Sequence, residues 1–253
     1  MVQKRKSPSR KASARTKAKK AQSKREALPI RPTLWLLRWM VRGFAGMVVL
    51  LFLWVVVYAV FNPPGTLYIW QEKSRLGEVD RQWVRMDAIA PVMKRSVVAA
   101  EDANFCLHSG FDMAAIRAAI DEGGNRGAST LTQQVVKNVF LWHGRSWLRK
   151  ALEAMITPMV ELVWSKERIL EVYLNVAEFD EGVFGVEAAA RNYFRVGPEA
   201  LSPLQAARLA AVLPSPKVRS ASKPGELVRK RAEAILDGAA TIRADGRAAC
   251  FED

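Results

Sequence analysis

Two short stretches of this chain carry the residue types that could do chemistry. Glu101-Asp102-Ala103-Asn104-Phe105-Cys106-Leu107-His108 offers a carboxylate pair and a histidine, and Gly127-Ala128-Ser129-Thr130-Leu131-Thr132-Gln133-Gln134-Val135-Val136-Lys137-Asn138 follows about one helix later. Read as a helix capped by Ser129, the second stretch puts Ser129, Gln133 and Lys137 at i, i+4 and i+8, within one narrow sector. Leu131, Val135 and Val139 fall opposite, a normal core stripe. Hydroxyl, amide and ammonium donors then stand in a row with no acid beside the lysine, a surface suited to a phosphorylated or polyhydroxylated ligand. Glu101 follows Val97, Val98, Ala99 and Ala100, so partial burial would raise its pKa, and within reach of a hydroxyl it could act as a general base. Together the two stretches point to sugar–phosphate chemistry. Taken alone, a Glu-Asp pair at a helix end is more often a solvated or capping pair.

The cations downstream sharpen this picture. Lys137 and Arg145 are the best phosphate binders in the chain, a point charge and a planar fork, although by themselves they could equally be surface cations. Arg145, Arg149 and Glu153 have i, i+4, i+8 spacing; an exposed Arg149–Glu153 pair would be worth only a few tenths of a kcal/mol. With two histidines, His108 and His143, and no cluster of zinc spacing, no metal site is expected, and His108 reads as a residue that orients its loop. Ser129 has no partner suggestive of a triad, so it reads as a cap or substrate donor.

The two stretches resemble the first two motifs of the peptidoglycan glycosyltransferase family. Arg149-Lys150-Ala151-Leu152-Glu153, Lys166-Glu167-Arg168-Ile169-Leu170-Glu171-Val172-Tyr173-Leu174-Asn175 and Gly182-Val183-Phe184-Gly185-Val186-Glu187-Ala188-Ala189-Ala190-Arg191-Asn192-Tyr193-Phe194 are similar to its third, fourth and fifth. Five motifs in the family's order are far more specific than one. The resemblance implies a lysozyme-like, two-lobed glycosyltransferase domain, its smaller lobe packed against a membrane. It implies catalytic roles for Glu101 and Glu153, and substrate-binding roles for Asp102, Ser129, Gln133, Gln134, Lys137, Arg145, Arg149 and Lys150. It implies lipid II and a growing lipid-linked glycan as substrates, no tightly bound cofactor, and Mg²⁺ or Mn²⁺ at the substrate diphosphate. Proteins of cell division or cell-wall synthesis are the implied partners. No room for a transpeptidase domain follows, so the expected member is monofunctional. The fourth and fifth motifs read as structural, with Glu171, Asn175 and Glu187 locking loops. A lytic transglycosylase or muramidase would also use a glutamate but needs no diphosphate site; a non-enzymatic scaffold of the cell-wall machinery would need none of these residues.

The elements that must position these residues begin with a membrane signal. Of the net charge of +14, nearly all lies in residues 1–42, where fourteen Lys/Arg meet one acid, Glu26. That tail, rich in Ser and Ala, is expected to be disordered and cytoplasmic, a topology signal attracted to anionic lipid and not a nucleic-acid binder. Residues 43–61 form an uncharged run close to the roughly 20 residues that span a bilayer. With no cleavage site apparent, it reads as an uncleaved single-pass anchor in a bacterial inner membrane, sending the rest of the chain to the periplasm. Residues 62–84 read as a stalk or lead-in in which Thr66-Leu67-Tyr68-Ile69-Trp70 is strand-like. The catalytic domain is expected over 85–240 and a polar tail over 241–253. Helical patterns near 91–106, 112–122, 129–140, 146–164, 166–176, 183–194, 203–213 and 225–240 predict a mainly α fold, and Ser202-Pro203-Leu204-Gln205 reads as a capping-box variant. Gly123-Gly124-Asn125-Arg126-Gly127 reads either as a gate over a cleft or as an ordinary connection. Cys106 reads as part of a core helix and Cys250 as part of the tail, so no bridge is predicted between them.

Overall fold

The computed structural model describes residues 31–252, apart from 124–126, 128 and 145. Most of the basic tail, the centre of the glycine-rich loop and Arg145 therefore lie outside the described residues. The chain divides into two compact units, Met1–Leu53 and Trp54–Asp253.

The first unit contains most of α1 (Arg31–Val60). This helix starts well before residue 43, because Arg38 and Arg42 interrupt the apolar run without interrupting the backbone hydrogen bonds. Thr33–Val60 is long and apolar enough to cross a membrane. At 1.5 Å per residue α1 extends about 45 Å, beyond the ~30 Å hydrocarbon core. Most of its aliphatic side chains are exposed, Leu50 and Val49 among them, while Val55 is buried; the exposed ones make a surface suited to lipid.

The second unit takes up the last turns of α1. There side chains of the globular body reach backbone carbonyls of the helix, including Tyr58 O, one of the last four, which have no partner inside the helix. Trp164 Nε1 donates to Val55 O at 2.8 Å. Arg168 donates to Tyr58 O at 3.0 Å and Phe61 O at 2.9 Å, a cation placed where the helix dipole favours one.

The lead-in corrects one expectation. Thr66-Leu67-Tyr68-Ile69-Trp70 is not strand but the start of α2 (Leu67–Leu76), with Thr66 as N-cap accepting from Ile69 N. The alternation there is too short to decide the period, and burial of Ile69 and Glu72 at i, i+3 shows the helical one. A three-stranded sheet follows, in order β1-β3-β2: β1 (Asp80–Arg81) parallel to β3 (Val183–Phe184), and β2 (Glu178–Asp180) antiparallel to it. Asn175 exchanges hydrogen bonds of 2.8 and 2.9 Å with the backbone of Val84, and Trp83 donates to Glu171 at 3.1 Å. Fourth-motif side chains thereby tie the lead-in to the body.

The remainder is helical, as the periodicity predicts: α3 (Pro91–Glu101), α4 (Met113–Asp121), α5 (Leu131–Phe140), α6 (Trp147–Val163), α7 (Lys166–Val176), α8 (Val186–Phe194), α9 (Pro203–Val212), α10 (Glu226–Ala244) and α11 (Ala249–Glu252). Ser202 and Gln205 form the expected capping box of α9. Two packing groups emerge, α3 with α9 and α10, and α5 with α6 and α7. Within the first, a Cβ on Gly238 would lie 3.1 Å from Ala99 Cβ, so α10 lies close against α3 two residues before Glu101.

Cys106 and Cys250 are joined by a disulfide, contrary to the expectation of no bridge. Cys106 sits in a 3₁₀ turn, Phe105–Leu107, not in a core helix. The tail folds back over that turn: Phe251 packs against Phe105 with ring centroids 6.4 Å apart, Arg95 pairs with Glu252 at 2.6 Å, and Arg247 donates to Ala103 O at 3.0 Å. Only these tertiary contacts bring the two sulfurs together.

Candidate active site

Glu101 is the last residue of α3, a helix opened by Pro91 at N1 and held in the core by Met93, Val97 and Val98. Its carboxylate lies where the two packing groups meet. Gln134 of α5 donates from Nε2 to Oε2 at 3.0 Å, and Arg231 of α10 approaches Oε1 with Nη2 at 3.4 Å. The Glu101 side chain is only 14% exposed. Burial pushes its pKa up; the Gln134 hydrogen bond and the charges of Arg231 and Lys137 oppose that shift, and Asp102 adds to it. Tyr173 of α7 donates to Gln134 Oε1 at 3.4 Å, which turns the amide N–H₂ towards Glu101. Full burial pushes the Tyr173 phenol well above its ordinary value, so it remains a donor.

Asp102 serves the frame. Its Oδ2 accepts from Leu131 N at 3.0 Å, the first residue of α5, and its Oδ1 pairs with His108 Nε2 at 2.9 Å. One residue thus fixes the end of α3 to the start of α5. Asp102, His108 and Asp112 place potential metal-ligand atoms within 4.8 Å of one another. Yet Asp112 caps α4 through Ala115 N at 2.9 Å and accepts from Asn104 at 2.9 Å. All four carboxylate oxygens therefore already have protein donors, and the cluster reads as a hydrogen-bonded brace around the loop.

The N-cap of α5 is Thr130, not Ser129. Thr130 and Gln133 form a reciprocal capping box, and Thr130 Oγ1 donates to Gly110 O at 2.7 Å. Gly110 has φ +87°, and a Cβ there would lie 2.5 Å from Thr157 Cγ2, so the close approach needs glycine. Gln133 is buried in the cap, and Gln134 is the amide that faces Glu101. Ser129 therefore stands outside the helix and Gln133 is taken up by the cap, so the expected Ser129–Gln133–Lys137 row does not form.

Lys137 is half-buried, and burial pulls its pKa down, while Glu153 and Glu101 pull it up and Arg149 and Lys150 add to the lowering. It therefore lies within the fields of both Glu101 and Glu153. Glu153 is 2% exposed and is held by Arg149 at 2.8 Å and by Lys150; the pair is not the exposed surface contact the spacing allowed. Arg149 Nε also donates to Gly144 O at 2.9 Å. Lys150 reaches Ser129 Oγ at 3.3 Å, which is how the exposed Ser129 joins the group. The result is a cluster of three cations around one buried acid. Beside it, His143 stacks on Tyr68 at 3.7 Å, and burial, with the charges of Lys137 and Arg149, pushes its pKa down to about 4.

A cavity of about 790 Å³ opens at Glu101, lined by Asp102, Ser129, Gln134, Pro214 and Arg231 among others. The arrangement can take a proton from a ligand in this cavity while holding an anion at the cations of α5 and α6. Sequence reasoning missed Arg231 and the role of Tyr173. Arg231 stands among like charges in Arg229-Lys230-Arg231; the available signal was its position between Val228, Ala232 and Ile235, the buried face of α10.

Residues 71–240 match the model of the family described as Transglycosylase. A biosynthetic peptidoglycan transglycosylase of Jannaschia sp. (strain CCS1) is 62% identical over 214 residues, covering 85% of this chain and 90% of the relative. Proteins of the same name from Pseudomonas putida (strain W619) and Xanthomonas axonopodis pv. citri (strain 306) are 52% and 47% identical, covering 74% and 83% of this chain and 82% and 89% of their own.

Proposed function

The chain belongs to the transglycosylase family, and on that premise we propose that it is a peptidoglycan glycosyltransferase that polymerises lipid II into β-1,4-linked glycan. The observation that carries this reading is the juxtaposition of one largely buried, under-neutralised carboxylate, Glu101, with a cation cluster at Lys137, Arg149 and Lys150. Glycan cleavage needs the first; transfer from a diphosphate needs both.

In the proposed reaction Glu101 takes the proton of the acceptor 4-hydroxyl as that oxygen attacks C1 of the donor sugar. The C1–O bond to the diphosphate breaks on the opposite face, inverting the centre, and undecaprenyl diphosphate leaves with the electron pair. Lys137, with its charge held in a partly desolvated place, stabilises the growing negative charge. Arg149 and Lys150 are kept in position by Glu153, whose part is to hold cations and not to move a proton. Arg145, outside the described residues, is assigned to the same diphosphate by its motif. Of the described carboxylates around Lys137, Glu153 is already paired and Glu101 is the base, so Mg²⁺ or Mn²⁺ would be held through the oxygens of the substrate diphosphate. The apolar helix α1 would confine the enzyme to the surface that carries its lipid-borne substrates, with the basic tail cytoplasmic and the domain at the outer face of the inner membrane.

The test is conversion of fluorescent lipid II to polymer by the detergent-purified chain, with Glu101→Gln alongside. Muramidase-sensitive polymer from the native chain and none from the variant is the expected result. Cleavage of preformed glycan without polymer, across detergents and divalent ions, would make this a lytic enzyme.

A further inference from the structure

Arg231 lies outside the five motifs, and none of the roles assigned above uses it. It is carried by α10, which the Gly238–Ala99 approach brings close against α3. Its Nη2 donates to Ala100 O at 3.3 Å and stands 3.4 Å from Glu101 Oε1. Its Nε is buried without a hydrogen-bond partner among the described residues. The side chain is 35% exposed overall, but taking its Nε edge out of water costs free energy unless something nearby gains from the charge. Here the beneficiary is the adjacent carboxylate.

The groups around Glu101 come from four elements. Gln134 and Lys137 approach from α5, Tyr173 stands behind Gln134 on α7, Arg231 comes from α10, and Asp102 is the next residue on its own strand of chain. Two of these are cations, and they differ in what substrate does to them. Lys137 sits with Arg149, Lys150 and Glu153, where the reading above places the diphosphate. Once that anion is bound, the field of Lys137 at Glu101 is cancelled, and burial would then drive the carboxyl towards its neutral form just when a base is required. Arg231 faces the cavity from the other packing group.

Resting on that reading of the site, we propose that Arg231 is a positioning residue of the transfer reaction, holding Glu101 as the ionised base in the substrate complex after the diphosphate has neutralised Lys137. Its guanidinium, held to Ala100 O on the backbone beside Glu101, acts through the carboxylate and not on the sugar or the diphosphate. The arrangement makes the base depend on α10, which no catalytic motif includes.

The experiment is the pH profile of kcat for lipid II polymerisation by the full chain in detergent, for native protein, Arg231→Gln and Arg231→Lys. A base must be ionised, so the acid limb of kcat reports the Glu101 pKa in the substrate complex. Removing a neighbouring cation raises that pKa, and the limb moves to higher pH. The expected shift for Arg231→Gln is about one unit upward, with activity well above the limb within about threefold of native. Arg231→Lys keeps the charge and should leave the limb within a few tenths of a unit. If Arg231→Gln melts far below native, Arg231→Met, which retains an aliphatic stem over Ala100, is read instead. A limb that stays in place in the neutral variant, whether activity is unchanged or uniformly lowered at every pH, overturns the proposal and leaves Arg231 a packing residue. Absence of polymer from the native chain at every pH is a different failure, that of the glycosyltransferase reading itself, and the proposal falls with it.

Discussion

Glu101 opens onto the cavity and Glu153 lies buried, both within reach of the charge of Lys137, and the fold treats them in opposite ways. Glu153, on α6, is held between Arg149 and Lys150, so its charge is matched within its own helix. Glu101, at the end of α3, has one amide donor and one guanidinium at 3.4 Å, and burial keeps its pKa raised. A matched carboxylate is a structural fixture; an under-matched one retains affinity for a proton. The difference teaches that the leaving-group side is preorganised by stiff ion pairs, while the base side is kept deliberately short of compensation.

The same substitution on the two sides should separate the roles. Glu101→Gln is expected to lower polymerisation by about 10²–10⁴-fold, the usual contribution of a general base, while leaving the melting temperature unchanged or higher. The sign follows from linkage. With the folded pKa above the unfolded one, native protein binds the proton more tightly, so stability falls as pH rises through that window. At neutral pH the ionised group is a net cost, which the amide removes. Glu153→Gln should instead lower stability, because it leaves a largely buried Arg149 without its partner, by about 1–3 kcal/mol once the 44% exposure of Lys150 is allowed for. Thermal melts and lipid II turnover on both variants decide between these outcomes; equal loss of stability would erase the distinction.

Two further perturbations sharpen the comparison from outside the cleft. Reducing Cys106–Cys250 opens a link between residues 144 apart, which should cost about 2–5 kcal/mol of stability. Because that link braces the turn following Glu101 and Asp102, base-side activity should fall with it; denaturant melts with and without reductant measure the first effect. His143 reports on the cationic side. Its folded pKa of about 4 lies below the ordinary 6.5, so the unfolded chain binds its proton first. Stability should therefore fall as pH drops from 6.5 towards 4, by an amount that solvent screening of this partly exposed ring keeps to about 1–2 kcal/mol. His143→Gln, which can still bond Asn138, should flatten that stretch of the stability–pH curve.

Much of this protein is determined by local patterns in the sequence. Apolar residues at 3.6-residue spacing place α3 to α10 to within a few residues, and Ser202 and Gln205 mark the start of α9 because a capping box is a contact three residues long. The apolar run before Asn62-Pro63-Pro64 specifies a helix long enough for a bilayer. Motif spacing singles out Glu101, Lys137 and Glu153 as candidate residues, since each is a chemical type at a fixed offset. What needed tertiary structure is whatever joins distant segments. Thr130, not Ser129, caps α5, bonded to Gly110 from a distant segment, and Gln133 is engaged in that cap while the meeting of the two packing groups leaves Gln134 facing Glu101. Leu67–Leu76 is helical because the body buries Ile69 and Glu72. Cys106 finds Cys250 only because Phe251 and Glu252 dock near Phe105 and Arg95, and Arg231 reaches Glu101 only because Gly238 lets α10 lie against α3. Hydrogen bonding along the chain is written in the sequence; the field at a carboxylate depends on charges that only packing can deliver.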